Sequence, residues 1–405
     1  MFNQKWKNYK FDELFDFEGS YSASREELGD EGVAYLHYGD MHTSNKNYVD
    51  VDKDFDKLPK YKVKGEPKFL LNDGDLVFVD ASEDYPGTCK TFLVKNKTKK
   101  QFVAGLHTLI AKPKLKVVSD EFRKYLTEIP SVRKQIYKLV QGYKVYGINR
   151  ENLKLINVEL PEFKISEKIA EILDTWARAV ELQEQKVEKL KEKKKALMQK
   201  LLIPKTGWLK LPLKEIMDFY NGYTFKSETY CDGCDGKYKV ITIANVKNGE
   251  MVIDKNTSTI DELPENIRDF QILSKGDILI SMTGNVGRVC KVDEDDCLLN
   301  QRVGKIVVKK NFSSDFVYYA LQTYDFIEKM MIFAQGAAQD NMSVKDVNRY
   351  KCWIPKEIAE QKKIANILLS LDKKIILNKN LLNQYYQQQK ALMQKLLTGE
   401  IRVNG

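Results

Sequence analysis

The sequence predicts an α+β protein that consists of two copies of one unit, each a globular domain followed by a long helix. Three observations support this fold class. The chain repeats itself at an interval of about 200 residues, two segments carry a regular heptad pattern, and short β-rich runs lie between them. At 405 residues and 46.9 kDa, the chain is also too long for one ordinary hydrophobic core.

The internal repeat is visible as pairs of matching segments. KALMQKLL occurs at Lys195–Leu202 and again at Lys390–Leu397. IAEIL at Ile169–Leu173 corresponds to IANIL at Ile364–Leu368, again 195 residues later. The globular parts match more loosely, since WKNYKFDELFDF resembles WLKLPLKEIMDF, and GDLVF resembles GDILI, at an interval of 202 residues. The small change of interval indicates loop insertions between two diverged copies.

Both long segments carry apolar residues at the alternating four- and three-residue spacing of a coiled coil, with eight apolar positions in ten in each copy. A seam of 33 residues corresponds to a helix about 50 Å long. We therefore predict two long helices that pair antiparallel and hold the globular domains apart. The predicted helix-pairing seam is Ile169, Leu173, Val180, Val187, Leu190, Leu197, Ile364, Leu368, Leu371, Ile375, Leu382 and Leu392.

The two polar positions of the seam coincide between the copies. They are Gln183 and Lys194 in the first copy, and Asn378 and Gln389 in the second. Polar layers of this kind fix the register of a coiled coil at some cost in stability. A plainer alternative is that each helix is amphipathic only because it packs separately on its own domain.

The repeat and the heptad segments divide the chain into four predicted parts. The globular domains are residues 1–162 and 204–356. The first long, central helix is residues 163–203, and residues 357–405 form the second long, C-terminal helix and a tail. Two related domains on an antiparallel helix pair acquire approximate twofold symmetry, so an internal pseudo-twofold repeat is expected.

Short runs of β-forming residues, punctuated by glycine, asparagine and aspartate, predict a small mixed sheet in each globular domain. The runs are Val77–Val79, Leu106–Ile110, Lys239–Ile243, Asp277–Ser281 and Gly304–Val308. Helices over about Ser119–Leu139 and Asp315–Phe333 are expected to pack on these sheets. Each globular part is thus predicted to be an α+β domain.

Composition favours a soluble protein with a polyanionic partner. Lys+Arg number 66 against 57 Asp+Glu, a net charge of +9, and nucleic acid is the first candidate for such a chain. No stretch approaches the roughly 18 uninterrupted apolar residues of a membrane span. Six scattered cysteines fit a reducing compartment. We expect a cytoplasmic protein that binds no membrane.

The sequence lacks the motifs that indicate common catalytic sites. It contains no GxxxxGK[ST] loop, no NPPY- or DPPY-like segment and no glycine fingerprint after a strand. Its three histidines, His37, His42 and His107, lack the i, i+4 spacing of a helical zinc site, and surface or structural roles are the simpler interpretation. We therefore predict a protein with no catalytic residues.

A zinc ribbon is the metal site that the cysteines suggest. Cys231 and Cys234 have the spacing of one zinc knuckle, and Cys290 and Cys297 are candidates for the second pair. The second pair is too widely spaced for a knuckle, and the first copy has no counterpart. We predict no metal ligands.

The lysine run at Lys189–Lys195 allows two interpretations. A charged helix is usually a solvated face, whereas basic residues on a helix between two DNA-binding domains would follow the phosphate backbone.

Two globular domains that alternate with two heptad helices, each ending in KALMQKLL, resemble the specificity subunit of type I restriction-modification enzymes. EIAEQKKIANILLSLDKKI after Pro355 and LLTGEIRV near the C-terminus are similar to the helical regions of that family. The first copy departs from the pattern at FKISEKIAEIL, which lacks the glutamine of the second copy. The resemblance covers essentially the whole chain.

The resemblance implies that each globular part is a target recognition domain that binds one half of an interrupted, asymmetric DNA sequence. It also implies two modification subunits, which carry S-adenosylmethionine and methylate adenine, and restriction subunits that translocate and cut double-stranded DNA. The chain itself is then expected to hold no cofactor. Two alternatives from other classes stay open at this point, a single-chain nuclease and a scaffold that binds only proteins.

Candidate DNA-binding residues are polar or basic side chains in glycine- and asparagine-containing loops. For any one of them, an ordinary turn residue is the plainer interpretation. In the second domain the candidates are Thr283, Asn285, Arg288, Gln301, Arg302, Gln339 and Asn341. In the first domain they are Tyr38, Asp40, His42, Lys90, His107, Tyr143, Lys144, Tyr146 and Arg150.

Overall fold

The structure, a computed structural model of the chain, describes residues 6–64, 67–231, 236–335 and 342–403. Three residues singled out from the sequence, Cys234, Gln339 and Asn341, lie outside the described residues. Within the described part, none of the helices combines the length and apolar character that a membrane span requires.

The chain folds into two compact units, and both long helices contribute to each of them. Unit 1 comprises Met1–Gln183 and Leu381–Gly405, and unit 2 comprises Glu184–Asn380. The long helices are continuous across these limits, from Phe163 to Leu201 and from Ile358 to Leu397. Each unit thus combines one globular domain with part of the central helix and part of the C-terminal helix.

The secondary structure of unit 1 is rich in short strands. The strands are β1 (Lys7–Lys10), β2 (Phe15–Glu18), β3 (Leu28–Gly29), β4 (Val33–Leu36), β5 (Tyr48–Asp50), β6 (Lys60–Tyr61), β7 (Leu76–Val79), β8 (Ala81–Ser82), β9 (Thr91–Lys95), β10 (Phe102–Ala104), β11 (Thr108–Pro113), β12 (Tyr146–Gly147) and β13 (Asn157–Leu160). The helices are α1 (Phe11–Leu14), α2 (Tyr38–Thr43), α3 (Val51–Asp54), α4 (Asp120–Arg123), α5 (Pro130–Leu139), α6 (Arg150–Lys154) and the first part of α7 (Phe163–Leu201).

Two mixed sheets form the centre of unit 1. One has the strand order β2-β11-β7-β9-β5 and the other β10-β4-β6-β3, with β5 parallel to β9 and β4 parallel to β10. Side chains alternate along β7, so Leu76 and Phe78 join a core with α4, α5 and α7. Val77 and Val79 join a second core that includes residues of β4 and β10. Because both faces of β7 are covered, the strand is a continuous apolar run.

Unit 2 repeats this organisation. Its strands are β14 (Trp208–Pro212), β15 (Met217–Asn221), β16 (Tyr238–Ile241), β17 (Val246–Lys247), β18 (Glu250–Met251), β19 (Thr259–Ile260), β20 (Ile272–Leu273), β21 (Ile278–Ser281), β22 (Val289–Lys291), β23 (Cys297–Leu299), β24 (Val303–Val308) and β25 (Lys351–Pro355). Its helices are α8 (Leu213–Ile216), α9 (Ser314–Ala320), α10 (Tyr324–Gln335), α11 (Val344–Arg349) and the first part of α12 (Ile358–Leu397). The sheets have the orders β15-β24-β21-β22 and β19-β16-β23-β20, with β16 parallel to β23.

The predicted helices in the globular domains are each broken in the structure. The segment Ser119–Leu139 is α4, a 3₁₀ turn at Leu126–Glu128 and α5, which begins at Pro130. Proline disfavours helical conformation in the residue before it, and Ile129 is accordingly extended. The segment predicted over Asp315–Phe333 is likewise divided between α9 and α10.

The long helices pack together and run antiparallel within each unit. In unit 1, Ile169 and Leu173 of α7 share a core with Leu396 and Leu397 of α12. The Trp176 ring meets the Tyr385 ring edge-on at 5.9 Å. In unit 2, Leu197 and Leu201 of α7 pack on a core that contains Ile364 and Leu368 of α12. The predicted fold class is confirmed, and the alternative of two separately packed helices is wrong.

The predicted seam positions lie inside this packing. Four of them are half-buried, namely Leu190, Leu197, Leu382 and Leu392. The others are buried: Ile169, Leu173, Val180, Val187, Ile364, Leu368, Leu371 and Ile375. Of the polar positions, Gln183 is buried, and Lys194 forms an ion pair of 2.7 Å with Asp372, a residue outside the predicted polar layers.

Candidate nucleic-acid interface

A cleft of about 590 Å³ lies where several strand ends of unit 2 meet. Residues from the ends of β15, β16 and β21, the β23–β24 connection and the start of α11 contribute to it. The cleft is lined by Asn221, Ile243, Met282, Thr283, Gly284, Gln301, Arg302, Met342, Ser343 and Val344. We call this the unit 2 cleft. It brings together three of the DNA-binding candidates of the second domain.

Main-chain hydrogen bonds fix the three central loops of the unit 2 cleft. The N–H of Met282 donates to the carbonyl of Arg302 at 2.9 Å, and the N–H of Met342 donates to the carbonyl of Met282 at 2.9 Å. The buried hydroxyl of Ser281 donates to the carbonyl of Asn285 at 2.5 Å and closes the turn that follows β21. Because these bonds use only backbone and buried groups, the side chains at the rim are free to vary.

Two polar side chains at the rim of the unit 2 cleft, Gln301 and Arg302, are accessible, whereas the hydroxyl of a third is not. The Oγ1 atom of Thr283 is buried and has no hydrogen-bond partner among the described residues. Gln301 is exposed, and its Oε1 accepts from the Thr224 hydroxyl at 2.7 Å. Arg302 is exposed beside it. An exposed amide and an exposed guanidinium carry the hydrogen-bonding groups that major-groove readout uses.

Two further candidates of the second domain do not line the cleft. Asn285 is exposed in the turn after β21, and Arg288 is half-buried where that turn returns to β22. The turn needs left-handed backbone at Gly284 (φ +65°) and Gly287 (φ +77°), and a Cβ at Gly287 would lie 2.8 Å from the Met330 side chain. These glycines are therefore required by the turn.

Unit 1 has a matching set of loops. The N–H of Asp80 donates to the carbonyl of His107 at 3.1 Å, and the N–H of Ile148 donates to the carbonyl of Asp80 at 2.8 Å. These bonds correspond to the pair that joins Met282, Arg302 and Met342 in unit 2. By this criterion His107 and Arg302 occupy equivalent positions, immediately before β11 and β24.

The three histidines of the chain meet at this position in unit 1. Around the Tyr38 ring, the rings of His37, His107 and His42 lie at 4.7, 5.2 and 6.0 Å. His107 has left-handed backbone (φ +59°), which is unusual for a residue other than glycine and often marks a functional position. Its Nδ1 lies 3.5 Å from Oδ1 of Asp80.

Burial shifts the protonation of two groups in this cluster. It lowers the pKa of His37, which therefore tends to be neutral and accepts a hydrogen bond from the N–H of Gly39 at 3.0 Å. Burial also raises the pKa of Asp80, although the nearby His107 opposes that rise. The cluster thus offers imidazole and phenol groups that can donate or accept hydrogen bonds.

Three candidates of the first domain hold its loops in place. The Lys90 ammonium donates to the carbonyls of His42 and Ser44 at 3.1 and 2.5 Å, at the C-terminal end of α2, and burial lowers its pKa. His42 Nε2 lies 3.2 Å from the carbonyl of Ala81. Asp40 forms an exposed ion pair of 2.8 Å with Arg25.

The remaining candidates of the first domain lie near the paired strands β8 and β12. Tyr146 stacks on Tyr85 at 4.1 Å between ring centroids, while Tyr143 is 91% exposed. Lys144 is exposed, and Arg150 is half-buried at the start of α6. Exposed aromatic side chains next to a lysine are suited to stacking and phosphate contact.

Sequence reasoning missed the apolar members of these surfaces. Ile243, Met282 and Met342 line the unit 2 cleft, and Tyr85 supports Tyr146 in unit 1. Asp80 and Met282 both directly follow the strand of the repeated GDLVF and GDILI segments. That repeat is the signal that would have found them.

The zinc alternative gains no geometric support from the described residues, which contain no group of three potential ligands. The Cys231 thiol donates to Asp261 at 3.4 Å, and Cys234 lies outside the described part. Burial raises the pKa of Cys290 to about 12 and that of Cys297 to about 11, so both remain protonated thiols.

The lysine run of the central helix is not uniform. Lys191 pairs with Glu188 at 2.6 Å on an exposed face, whereas Lys194 is largely covered and pairs with Asp372 of α12. Lys189, Lys193 and Lys195 are exposed.

Two globular domains with equivalent loops, joined to a pair of long helices, define a DNA-recognition protein with two specificity domains. The model of the type I restriction modification DNA specificity domain matches residues 3–192 and 205–385. The chain therefore belongs to the family of type I restriction-modification specificity subunits. This confirms the family that the sequence predicts and its function in DNA sequence specificity. The alternatives of a single-chain nuclease and a protein-only scaffold are not favoured.

Individual relatives cover most of the chain. The type I restriction enzyme MjaVIII specificity subunit of Methanocaldococcus jannaschii is 26% identical over 371 residues, which are 83% of this chain and 81% of that protein. The putative MjaX specificity subunit of the same organism is 25% identical over 378 residues, 90% and 86% of the two chains. The S subunit structure from M. genitalium has a TM-score of 0.57 at 18% identity, covers 98% of this chain and 97% of that one, and shows the same fold.

Proposed function

We propose that each globular domain binds one half of an interrupted, asymmetric double-stranded DNA sequence, and that the chain has no catalytic residue of its own. The observation that carries this proposal is the equivalence of the loops in the two units. The same backbone position presents Arg302 in unit 2 and His107 in unit 1, each held by a matching main-chain hydrogen bond. Different side chains at an equivalent position imply different base sequences in the two half-sites.

We further propose that the chain assembles with two modification subunits and with restriction subunits. S-adenosylmethionine and the methylation of adenine would then belong to the modification subunits, and no cofactor would bind this chain. Family membership supports this assembly. A matching structure, with a TM-score of 0.56 at 14% identity and coverage of 98% of both chains, comes from work on complex assembly of the type I R-M system.

Mapping of methylated adenines tests the proposal directly. Cells that express the full chain together with its modification subunits are expected to carry methylated adenines in one interrupted sequence, and cells without the chain are expected to carry none. Incubation of the pure chain with DNA and Mg²⁺ is the second arm. Cleavage by the chain alone, or methylation that does not depend on it, would overturn the proposal.

A further inference from the structure

One carboxylate in unit 2 joins the globular domain to both long helices. The hydroxyl of Tyr319, on α9, donates to Oδ2 of Asp372 on α12 at 2.6 Å. Oδ1 of Asp372 lies 2.7 Å from the Lys194 ammonium of α7, which also sits 5.3 Å from the centre of the Tyr319 ring. Tyr319 is 1% exposed, and burial raises its pKa, so the hydroxyl keeps its proton and stays the donor.

Unit 1 contains a similar arrangement, in which the tyrosine is at the equivalent position and the aspartate lies three positions nearer the start of its helix. The hydroxyl of Tyr125, just after α4, donates to Oδ1 of Asp174 on α7 at 2.5 Å. In unit 1 the cation comes from the globular domain and not from a long helix, since the Lys124 ammonium lies 2.8 Å from Asp174. Both copies thus have a buried tyrosine at the same position of the domain that donates to an aspartate of a long helix, although the aspartate is at a different helix position and the partner cation has changed.

A second hydrogen bond ties each domain to the first turns of its following helix. The N–H of Ser313, at the start of α9, donates to Oε1 of Gln361 at 2.8 Å. In unit 1 the N–H of Ser119, at the start of α4, donates to the hydroxyl of Ser166 at 2.9 Å. Ser166 stands where the first copy lacks the glutamine of the second, and its hydroxyl accepts the same bond.

Two hydrogen-bonded contacts at separate points along a long helix fix the angle between that helix and the globular domain. Apolar packing alone fixes this angle less well. Asp174 lies eight positions after Ser166, and Asp372 lies eleven positions after Gln361, so the contacts lie about 12 and 16 Å apart along the helices. The two carboxylates are only partly buried, with 35% of the Asp174 side chain and 23% of the Asp372 side chain exposed. Because partly exposed charged contacts add little to stability, the occurrence of such a contact in both copies is better explained by geometry than by stability.

We propose that the Tyr125–Asp174 and Tyr319–Asp372 pairs are positioning contacts, which fix the angle between each recognition domain and its long helix and thereby restrict the number of base pairs accepted between the half-sites. This inference rests on the proposed function, since it concerns how two bound half-sites are spaced. It assigns no base contact to these residues.

The test uses Tyr319→Phe, which removes only the hydroxyl. Its matched control is Tyr318→Phe, because Tyr318 is also buried but its hydroxyl donates to the carbonyl of Gly249 within the globular domain, at 3.3 Å. Each full chain is expressed with its modification subunits in cells that carry plasmids with the mapped half-sites at the natural spacing and at one base pair more or less. Methylation is measured at each spacing.

The wild type and Tyr318→Phe are expected to methylate the natural spacing with the same preference. Tyr319→Phe is expected to lower that preference by about two- to tenfold, the equilibrium change that one hydrogen bond corresponds to. Tyr125→Phe should do the same, with Thr127→Val as its control, since the Thr127 hydroxyl bonds Thr91 inside the domain at 2.8 Å.

The outcomes separate the inference from the function on which it rests. No methylation with the wild-type chain at any spacing would overturn the proposed function. Normal wild-type methylation, together with a variant whose total methylation falls at every spacing in the same proportion, would mean that the pairs are structural only and would overturn the inference. If Tyr319→Phe gives no folded protein, the result with Tyr125→Phe decides between these outcomes.

Discussion

The N–H of Met282 donates to the carbonyl of Arg302 at 2.9 Å, and this bond places the Arg302 side chain at the rim of the unit 2 cleft. The equivalent bond in unit 1 joins Asp80 to His107. The backbone arrangement of these loops is therefore shared by the two units, while their exposed side chains differ. Substitutions at the rim should change base preference without loss of the fold.

Arg302→Ala is expected to relax base preference in one half-site only, the one bound by unit 2. A bidentate contact between arginine and a base contributes about 1–3 kcal/mol of discrimination, so competition with single-base variants of that half-site should show a change at one position. Arg288 lies outside the cleft lining, and Arg288→Ala should instead weaken binding evenly across sequences.

Arg349→Ala is the control for both substitutions, because Arg349 is exposed but pairs with Asp346 at 2.6 Å. Competition binding is measured with the full chain and its modification subunits. If Arg302→Ala changes neither affinity nor base preference, Arg302 does not contact DNA. A change in the other half-site would contradict the assignment of one half-site to each unit.

The end of the C-terminal helix belongs structurally to the first domain. Leu396 and Leu397 are buried in the same core as Phe78 and Ile169. We expect Leu396→Ala to lower the free energy of unfolding by about 2–5 kcal/mol, the usual cost of removing a buried leucine side chain. Hydrogen exchange should show faster exchange in unit 1 segments such as α5.

Leu377→Ala on the same helix is the control, because Leu377 is 68% exposed and its removal should change stability by less than about 0.5 kcal/mol. The packing of Leu396 and Leu397 also limits which domains can be exchanged. Replacement of residues 1 to about 160 by those of a relative should change one half-site, as the repeat predicts, only if the incoming domain also packs against Leu396 and Leu397. Unchanged hydrogen exchange in unit 1 of Leu396→Ala would contradict this packing.

The repeat and the heptad spacing were sufficient to predict the long helices, because the period of apolar residues follows directly from helix geometry. The membership of Leu396 in the first core could not be predicted, because heptad spacing gives the pairing of the helices and not the side chains that also pack against a globular domain. Met282 and Met342 were missed for a different reason. An apolar residue in a loop carries no chemical signal until the structure places it beside polar groups such as Arg302.

Asp75 is expected to make unit 1 less stable as pH rises from about 4 to about 6. Burial raises the pKa of Asp75 to about 6, above the value near 3.9 of an unfolded chain. The folded state therefore binds more protons between these pH values, and stability falls as they are released. Asp75→Asn should raise the free energy of unfolding at pH 7 by up to about 3 kcal/mol.

Asp277→Asn is the matched control, since Asp277 occupies the equivalent position in unit 2. There Lys305 pairs with Asp277 at 2.6 Å, whereas Ile110 occupies the position of Lys305 in unit 1. Asp277→Asn should therefore destabilise the protein, by about 1–3 kcal/mol. Thermal or urea unfolding at pH 4 and pH 7 measures the free energy of unfolding of both variants. If Asp75→Asn raises the free energy of unfolding as much at pH 4 as at pH 7, titration of Asp75 is not the cause of the increase.

The number of base pairs between the half-sites is expected to depend on the long helices. We expect the long helices to set this number, so lengthening them should lengthen the gap. An insertion beside Lys195–Met198 would displace Leu197 and Met198, which pack on the unit 2 core. The limits of the units, after Gln183 in α7 and after Asn380 in α12, are better positions.

Four residues inserted at both positions add about one turn, roughly 6 Å, to each helix and nearly keep its buried face. Since duplex DNA rises about 3.4 Å per base pair, the gap should grow by one or two base pairs. The half-sites themselves should not change, because the insertion lies outside both recognition surfaces. Methylation mapping decides among three results: a longer gap supports the role of the helices, an unchanged gap contradicts it, and altered half-sites would mean that the helices take part in base recognition.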